Sequence, residues 1–121
     1  MTSSRNVLVV DEDLDQLQTL CRGLRCLGFC CIPARTAAEA LAHLDGTTGQ
    51  RVDVVVADVT LPGRPGARLV ERALALRPAL PVLLLAGLVL PREAQALRDQ
   101  GLPLLRKPFG LVELGAAVEA L

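Results

Sequence analysis

Short, unbroken apolar runs separated by longer stretches of helical periodicity constrain this chain more than any other feature. The runs are VLVV (7–10), FCCI (29–32), VVVA (54–57), VLLLA (82–86) and LPLL (102–105). A strand with one wet face alternates polar and apolar residues. Most of these runs do not, so they predict strands covered on both faces, as in a parallel sheet between helices. Between the first two runs, Leu14, Leu17, Leu20, Leu24 and Leu27 recur every three or four residues, marking one helix face, and Gly28 stands where a left-handed stop is wanted. Thr36 and Glu39 spell a capping box that opens a second helix through Leu44. A third helix, Ala67 to Arg77, is closed by Pro78. A fourth runs from Pro91 to Gly101, and Leu111, Leu114, Val118 and Leu121 give the last its face.

Strict strand–helix alternation with right-handed crossovers places helices on both sides of one sheet. The fold class is α/β: a flavodoxin-like (βα)5 three-layer sandwich whose five parallel strands lie in the order 2-1-3-4-5. A length of 121 residues allows one domain, 1–121, with Met1 to Asn6 as a polar leader. Hydrophobic residues at 51% and charged residues at 21% suit a compact globule rather than a disordered tail. Thirteen basic residues balance thirteen acidic ones, so no global field draws the chain onto nucleic acid or an anionic membrane. With Phe29 and Phe109 as the only aromatics, a base-stacking platform is not expected. The longest apolar run, Leu80 to Leu90, holds Pro81 and Gly87 and falls short of the ~20 residues that span a bilayer. The start is too soon charged for a secretion signal, and the expected location is cytoplasmic.

Cys21, Cys26, Cys30 and Cys31 crowd together, but their C-x4-C-x3-C-C spacing does not match the C-x2-C pairs of zinc ribbons. They read as small buried or half-buried thiols of a reducing compartment, with a metal site as the lesser alternative. The one histidine, His43, cannot furnish a nucleophile–base set. Gly63-Arg64-Pro65-Gly66 reads as turn punctuation, because it lacks the G-x-x-x-x-G-K-[ST] pattern of a phosphate loop.

In an open parallel sheet, ligands sit beyond the carboxyl ends of the strands. Asp11-Glu12-Asp13 follow the first run, Asp58 the third, Ala86 and Gly87 close the fourth, and Arg106-Lys107-Pro108 follow the fifth. Helix capping accounts well for Asp13 and Asp15 and less well for Asp11. It does not account for Asp58, which precedes VTLPG rather than a helix. Clustered carboxylates repel one another and invite a hard divalent cation. Mg2+ suits a site of few carboxylates, a backbone carbonyl and retained waters.

VLVVDED, DVVVADVTLPG, LPVLLLAG and LRKPF, in this order and at these intervals, resemble the receiver domain of two-component response regulators over the whole chain. The resemblance implies that Asp58 accepts a phosphoryl group from a histidine kinase or a histidine phosphotransfer protein. It implies Mg2+ held by Asp11, Glu12, Asp58 and the backbone carbonyl of Thr60. It further implies that Lys107 contacts the phosphoryl group and that Lys107–Pro108 is cis. Such a domain promotes its own phosphorylation without independent turnover. Helix four, strand five and helix five form its output face, through which a homodimer is one arrangement. A free-standing regulator and a piece of a longer hybrid sensor kinase both fit.

Two positions depart from the family pattern. Ala86 stands where the family has a Thr or Ser hydroxyl, and Leu104 where it has a Tyr or Phe ring. Two readings stay open: a receiver that signals by another route, or a receiver-fold interaction module whose phosphate-dependent switching is weak or lost. A flavin- or nucleotide-binding enzyme of the same fold is a third class, but it finds neither a phosphate loop nor an aromatic to stack on a flavin.

Overall fold

A computed structural model describes residues 5–59, 65–87 and 91–121. The elements are β1 (Asn6–Val10), α1 (Leu14–Cys26), β2 (Cys30–Ala34), α2 (Ala37–Leu44), β3 (Val54–Asp58), α3 (Pro65–Leu76), β4 (Val82–Ala86), α4 (Pro91–Asp99), β5 (Leu104–Arg106) and α5 (Leu111–Glu119). The five strands form one parallel sheet in the order β2-β1-β3-β4-β5, as expected from the alternation.

Alternate residues of the central strands feed two separate cores. Val7, Val9, Val54, Val56, Leu83 and Leu85 face Leu17, Leu20 and Leu24 of α1 and Leu114 and Val118 of α5. Leu8, Val10, Val55, Ala57 and Leu84 face the opposite layer, where Ala40 and Leu44 of α2 and Leu69, Val70 and Ala73 of α3 pack. Both faces are therefore dry, which explains runs without polar alternation.

The edge strands depart from the expected ranges. The second run, 29–32, becomes Cys30–Ala34, because Cys30 is the residue paired with Asn6 of β1 while Phe29 is buried beside α1. Pro33 sits within this strand, which is tolerated because β2 has a neighbour on one side only. The fifth run, 102–105, becomes Leu104–Arg106. Pro103 has no N–H to give, and its carbonyl accepts from Leu84 N–H at 3.0 Å just before pairing begins. The third helix opens earlier and closes one residue sooner than expected, over Pro65–Leu76. Asn6 belongs to β1 rather than to a leader: its N–H donates to Asp53 Oδ2 and its side-chain amide to Arg51 O, both at 2.7 Å.

Capping follows the sequence with one difference. Thr36 Oγ1 accepts Glu39 N–H at 3.1 Å, but Glu39 Oε2 reaches back to Arg35 N–H rather than to Thr36. Gly28 ends α1 at φ +96°, a conformation open to glycine without a side-chain clash. Of the expected α1 stripe, Leu14 and Leu27 are 43% and 41% exposed, and Leu111 of α5 is also exposed. Leu27 and Leu111 cover notches instead. A Cβ on Gly115 would come 2.7 Å from Leu27 Cδ1, and one on Gly23 would come 2.6 Å from Leu111 Cδ1. The two helices of this layer thus meet through reciprocal leucine-on-glycine contacts.

Candidate functional site

The carboxyl ends of β1, β3 and β5 bring three expected residues together. Asp11 directly follows β1, and its N–H extends the ladder to Ala34 O at 3.1 Å. Asp58 is the last residue of β3, and Lys107 directly follows β5. Lys107 is anchored at its backbone, where its N–H donates to Ala86 O of β4 at 2.8 Å, and the Lys107–Pro108 peptide is cis. Its Nζ stands 2.6 Å from Asp58 Oδ2, with the side chains 25% and 9% exposed. Such a partly buried pair is screened less than one on the open surface.

Asp11 is 4% exposed. Its Oδ1 accepts Asp13 N–H at 2.9 Å, while Oδ2 is buried without a hydrogen-bond partner. Burial pushes the Asp11 carboxyl above its ordinary value, the Asp13 N–H opposes this, and the nearby Asp58 charge adds to the rise. Lys107 acts in the lowering direction and Asp13 in the raising one, as the lesser influences. Asp13 is also the N-cap of α1, its Oδ1 accepting Gln16 N–H at 3.2 Å, as the capping reading expected.

A buried, unpartnered carboxylate oxygen beside a second carboxylate is a seat for a cation. Mg2+ needs only one or two carboxylates with waters making up the rest. Among the described residues no three His, Cys, Asp or Glu side chains gather as a complete ligand set. Glu12 is exposed, and Thr60 lies outside the described residues. Of the expected acids, Asp11 and Asp58 are the two that these strand ends bury side by side.

Gln16 was not singled out by its sequence. Its Nε2 donates to Asp58 Oδ2 at 2.7 Å, joining Lys107 on the same oxygen. A glutamine in the first turn of a helix ordinarily faces water. The one available signal was its place a turn beyond the Asp11-Glu12 pair.

The thiols lie elsewhere, around α1 and β2, and none is in a disulfide. Cys21 is held below the ordinary thiol range by the neighbouring Cys31, against the opposing effect of burial. Cys31 is raised by the same contact and by burial. His43 Nδ1 meets Thr48 Oγ1 at 2.9 Å on the surface. A groove of about 680 Å³ between α1 and β2, lined by Leu14, Gln18, Cys21, Arg22, Arg25 and Pro33 among others, holds none of Asp11, Asp58 and Lys107.

Comparison with known proteins bears on the fold and the family. The transcriptional regulatory protein PrrA of Mycobacterium leprae is 39% identical over 120 residues, covering 98% of this chain and 50% of the relative. The C4-dicarboxylate transport transcriptional regulatory protein DctD of Rhizobium meliloti is 32% identical over 110 residues, covering 90% of this chain and 23% of the relative. The chain thus spans half or less of these curated relatives. The structure of chemotaxis protein CheY4 of Vibrio cholerae superposes with a TM-score of 0.80 at 25% identity, covering 98% of each chain. A receiver domain of Methanospirillum hungatei shares the fold with a TM-score of 0.83 at 24% identity, over 98% of this chain and 93% of that one. A family model described as the response regulator receiver domain matches residues 7–119, and the chain belongs to that family.

Proposed function

We propose that this domain accepts a phosphoryl group on Asp58 from a histidine kinase or a histidine phosphotransfer protein. The observation that carries the reading is the Lys107 Nζ–Asp58 Oδ2 contact of 2.6 Å beside the buried Asp11. A carboxylate is a weak nucleophile, and its attack on a phosphorylated histidine brings two anions together. What such a site must supply is positioning and positive charge, and no general base is required. Lys107 provides an ammonium held against the carboxylate. Asp11 and Asp58, with Glu12 and the Thr60 carbonyl, would hold Mg2+, which when bound supplies further charge neutralisation for phosphoryl transfer. The domain promotes its own phosphorylation and has no independent turnover. It spans 1–121, works in the cytoplasm, and uses α4, β5 and α5 as its output face, where a homodimer is one arrangement.

Incubation with acetyl phosphate and Mg2+ should add one acid-stable, base-labile phosphoryl group to the wild type and none to Asp58→Asn. Undiminished label in the variant refutes Asp58 as acceptor. A second reading, an interaction module with weak phosphate switching, is favoured by the buried Ala86, which has no hydroxyl to offer, and by Leu104, which has no ring.

A further inference from the structure

We propose that Gln16 limits the lifetime of the phosphoryl group on Asp58, because its amide donates to Asp58 Oδ2 and favours the free carboxylate over the acyl phosphate. The inference rests on the reading of Asp58 as phosphoacceptor.

Gln16 is well held for this role. Its backbone N–H is bound by Asp13 Oδ1 at 3.2 Å, and Asp13 N–H is bound in turn by Asp11 Oδ1 at 2.9 Å. The half-buried side chain then crosses from α1 to the end of β3. A carboxylate has no proton to give, so the amide nitrogen faces it. Lys107 Nζ reaches the same Oδ2 at 2.6 Å. Two donors therefore share one oxygen of Asp58.

In acquisition, an Oδ1 lone pair forms the O–P bond as the bond from phosphorus to the donor's leaving nitrogen or oxygen breaks. Asp58 loses its negative charge in this step. In hydrolysis, a water oxygen bonds to phosphorus, the Oδ1–P bond breaks, and its electron pair returns to the carboxylate. The water proton leaves with inorganic phosphate or to solvent. Oδ2 is therefore a neutral carbonyl oxygen in the phosphorylated protein and part of an anion before and after. A hydrogen bond to an ionised acceptor is roughly twice as strong as one to a neutral acceptor. A loose transition state keeps most of the carboxylate charge in place. Gln16 thus stabilises the free carboxylate and the transition state alike, and the phosphorylated state less. Acquisition is left nearly unchanged while hydrolysis is hastened, by about fivefold, or about 1 kcal/mol at 1.4 kcal/mol per tenfold.

The test compares wild type, Gln16→Leu and Gln16→Met, each labelled with acetyl phosphate and Mg2+, freed of donor, and followed by intact mass. Both variants keep side-chain bulk and lack the donor. Label should decay about fivefold more slowly in each, with initial labelling within about twofold of wild type. A side chain that merely packs would slow both rates together or neither. Decay at the wild-type rate or faster, or a parallel loss of both rates, overturns the inference and leaves Asp58 as acceptor. Wild type that takes no label overturns both readings. Thermal melting checks folding, and either folded variant is enough to separate these outcomes.

Discussion

Replacing Asp11 with Asn should stabilise the metal-free protein. Asp11 is 4% exposed, its Oδ2 has no hydrogen-bond partner, and the Asp58 charge raises its pKa further on top of burial. Asn retains an oxygen for the Asp13 N–H and removes the buried charge. A buried polar group without a partner costs roughly 1–3 kcal/mol. Part of that cost persists in Asn, so the net gain should be about 1 kcal/mol, or roughly 4 °C in Tm for a domain of this size. The sign with pH follows from the raised carboxyl. An acid whose pKa is higher folded than unfolded penalises the folded state once both forms ionise, and the penalty vanishes when both are protonated. Melting in a chelator should therefore show little gap below the ordinary value of 3.8, with the gap opening as pH rises from there towards the raised folded pKa and constant above it. Added Mg2+ should raise the wild-type Tm and leave the variant's in place. A lower Tm for Asp11→Asn at neutral pH in chelator, or a gap equally large in acid, would refute the reasoning.

Gly28→Ala should lower stability by about 1 kcal/mol, read by urea denaturation, because no atom crowds the site and φ +96° alone disfavours a side chain. No loss would show that the turn relaxes freely. Thiol titration of native, reduced protein should find Cys26 and Cys30 reacting fast and the buried Cys21 only on unfolding, with four thiols in total. Fast native reaction of Cys21, or stoichiometric zinc in protein purified without added metal, would overturn this assignment. Beryllofluoride should shift the amides around Asp11, Asp58 and Lys107, with changes fading over 97–105. Large shifts across that segment would reveal a route of coupling independent of a hydroxyl at position 86 and a ring at position 104.

Much of the fold was legible because burial on two faces leaves a simple mark. VLLLA is both an apolar run and β4, residue for residue, since nothing polar interrupts a strand with neighbours on each side. The edges were harder to read. In β2 the exposed side of the sheet admits Cys30 and Pro33, and a reading of hydrophobicity alone starts the strand one residue early, at Phe29. Asp11, Asp58 and Lys107 were placed by one rule, that ligands gather at carboxyl ends, and the three strand ends do converge. Gln16 escaped because its role depends on a distance between α1 and β3, and neither helix periodicity nor residue type carries that distance. Gly23 and Gly115 escaped for a related reason. Glycine within a helix reads as a local weakness until the leucine from the facing helix is seen to fill its notch.

The departures at Ala86 and Leu104 look different once the backbone is in view. Ala86 is 1% exposed and contributes no side-chain donor, yet its carbonyl takes the Lys107 N–H at 2.8 Å. The lysine that meets Asp58 is thereby fastened to the end of β4 as well as to β5. A change of charge on Asp58 alters the pull on Lys107 Nζ, and that pull reaches two strands through one residue's main chain. Leu104 pairs with Leu84 and packs against the core shared with α2 and α3, where an aliphatic side chain can make the same contacts whatever the charge on Asp58. A ligand moves an equilibrium only through contacts that differ between the states. Two contacts that differ are the ion pair at Lys107 and the hydrogen bond from the Gln16 amide. With Asp58 as the proposed acceptor, the force of phosphorylation falls on Lys107 and on the first turn of α1, since position 86 carries no hydroxyl and position 104 no ring.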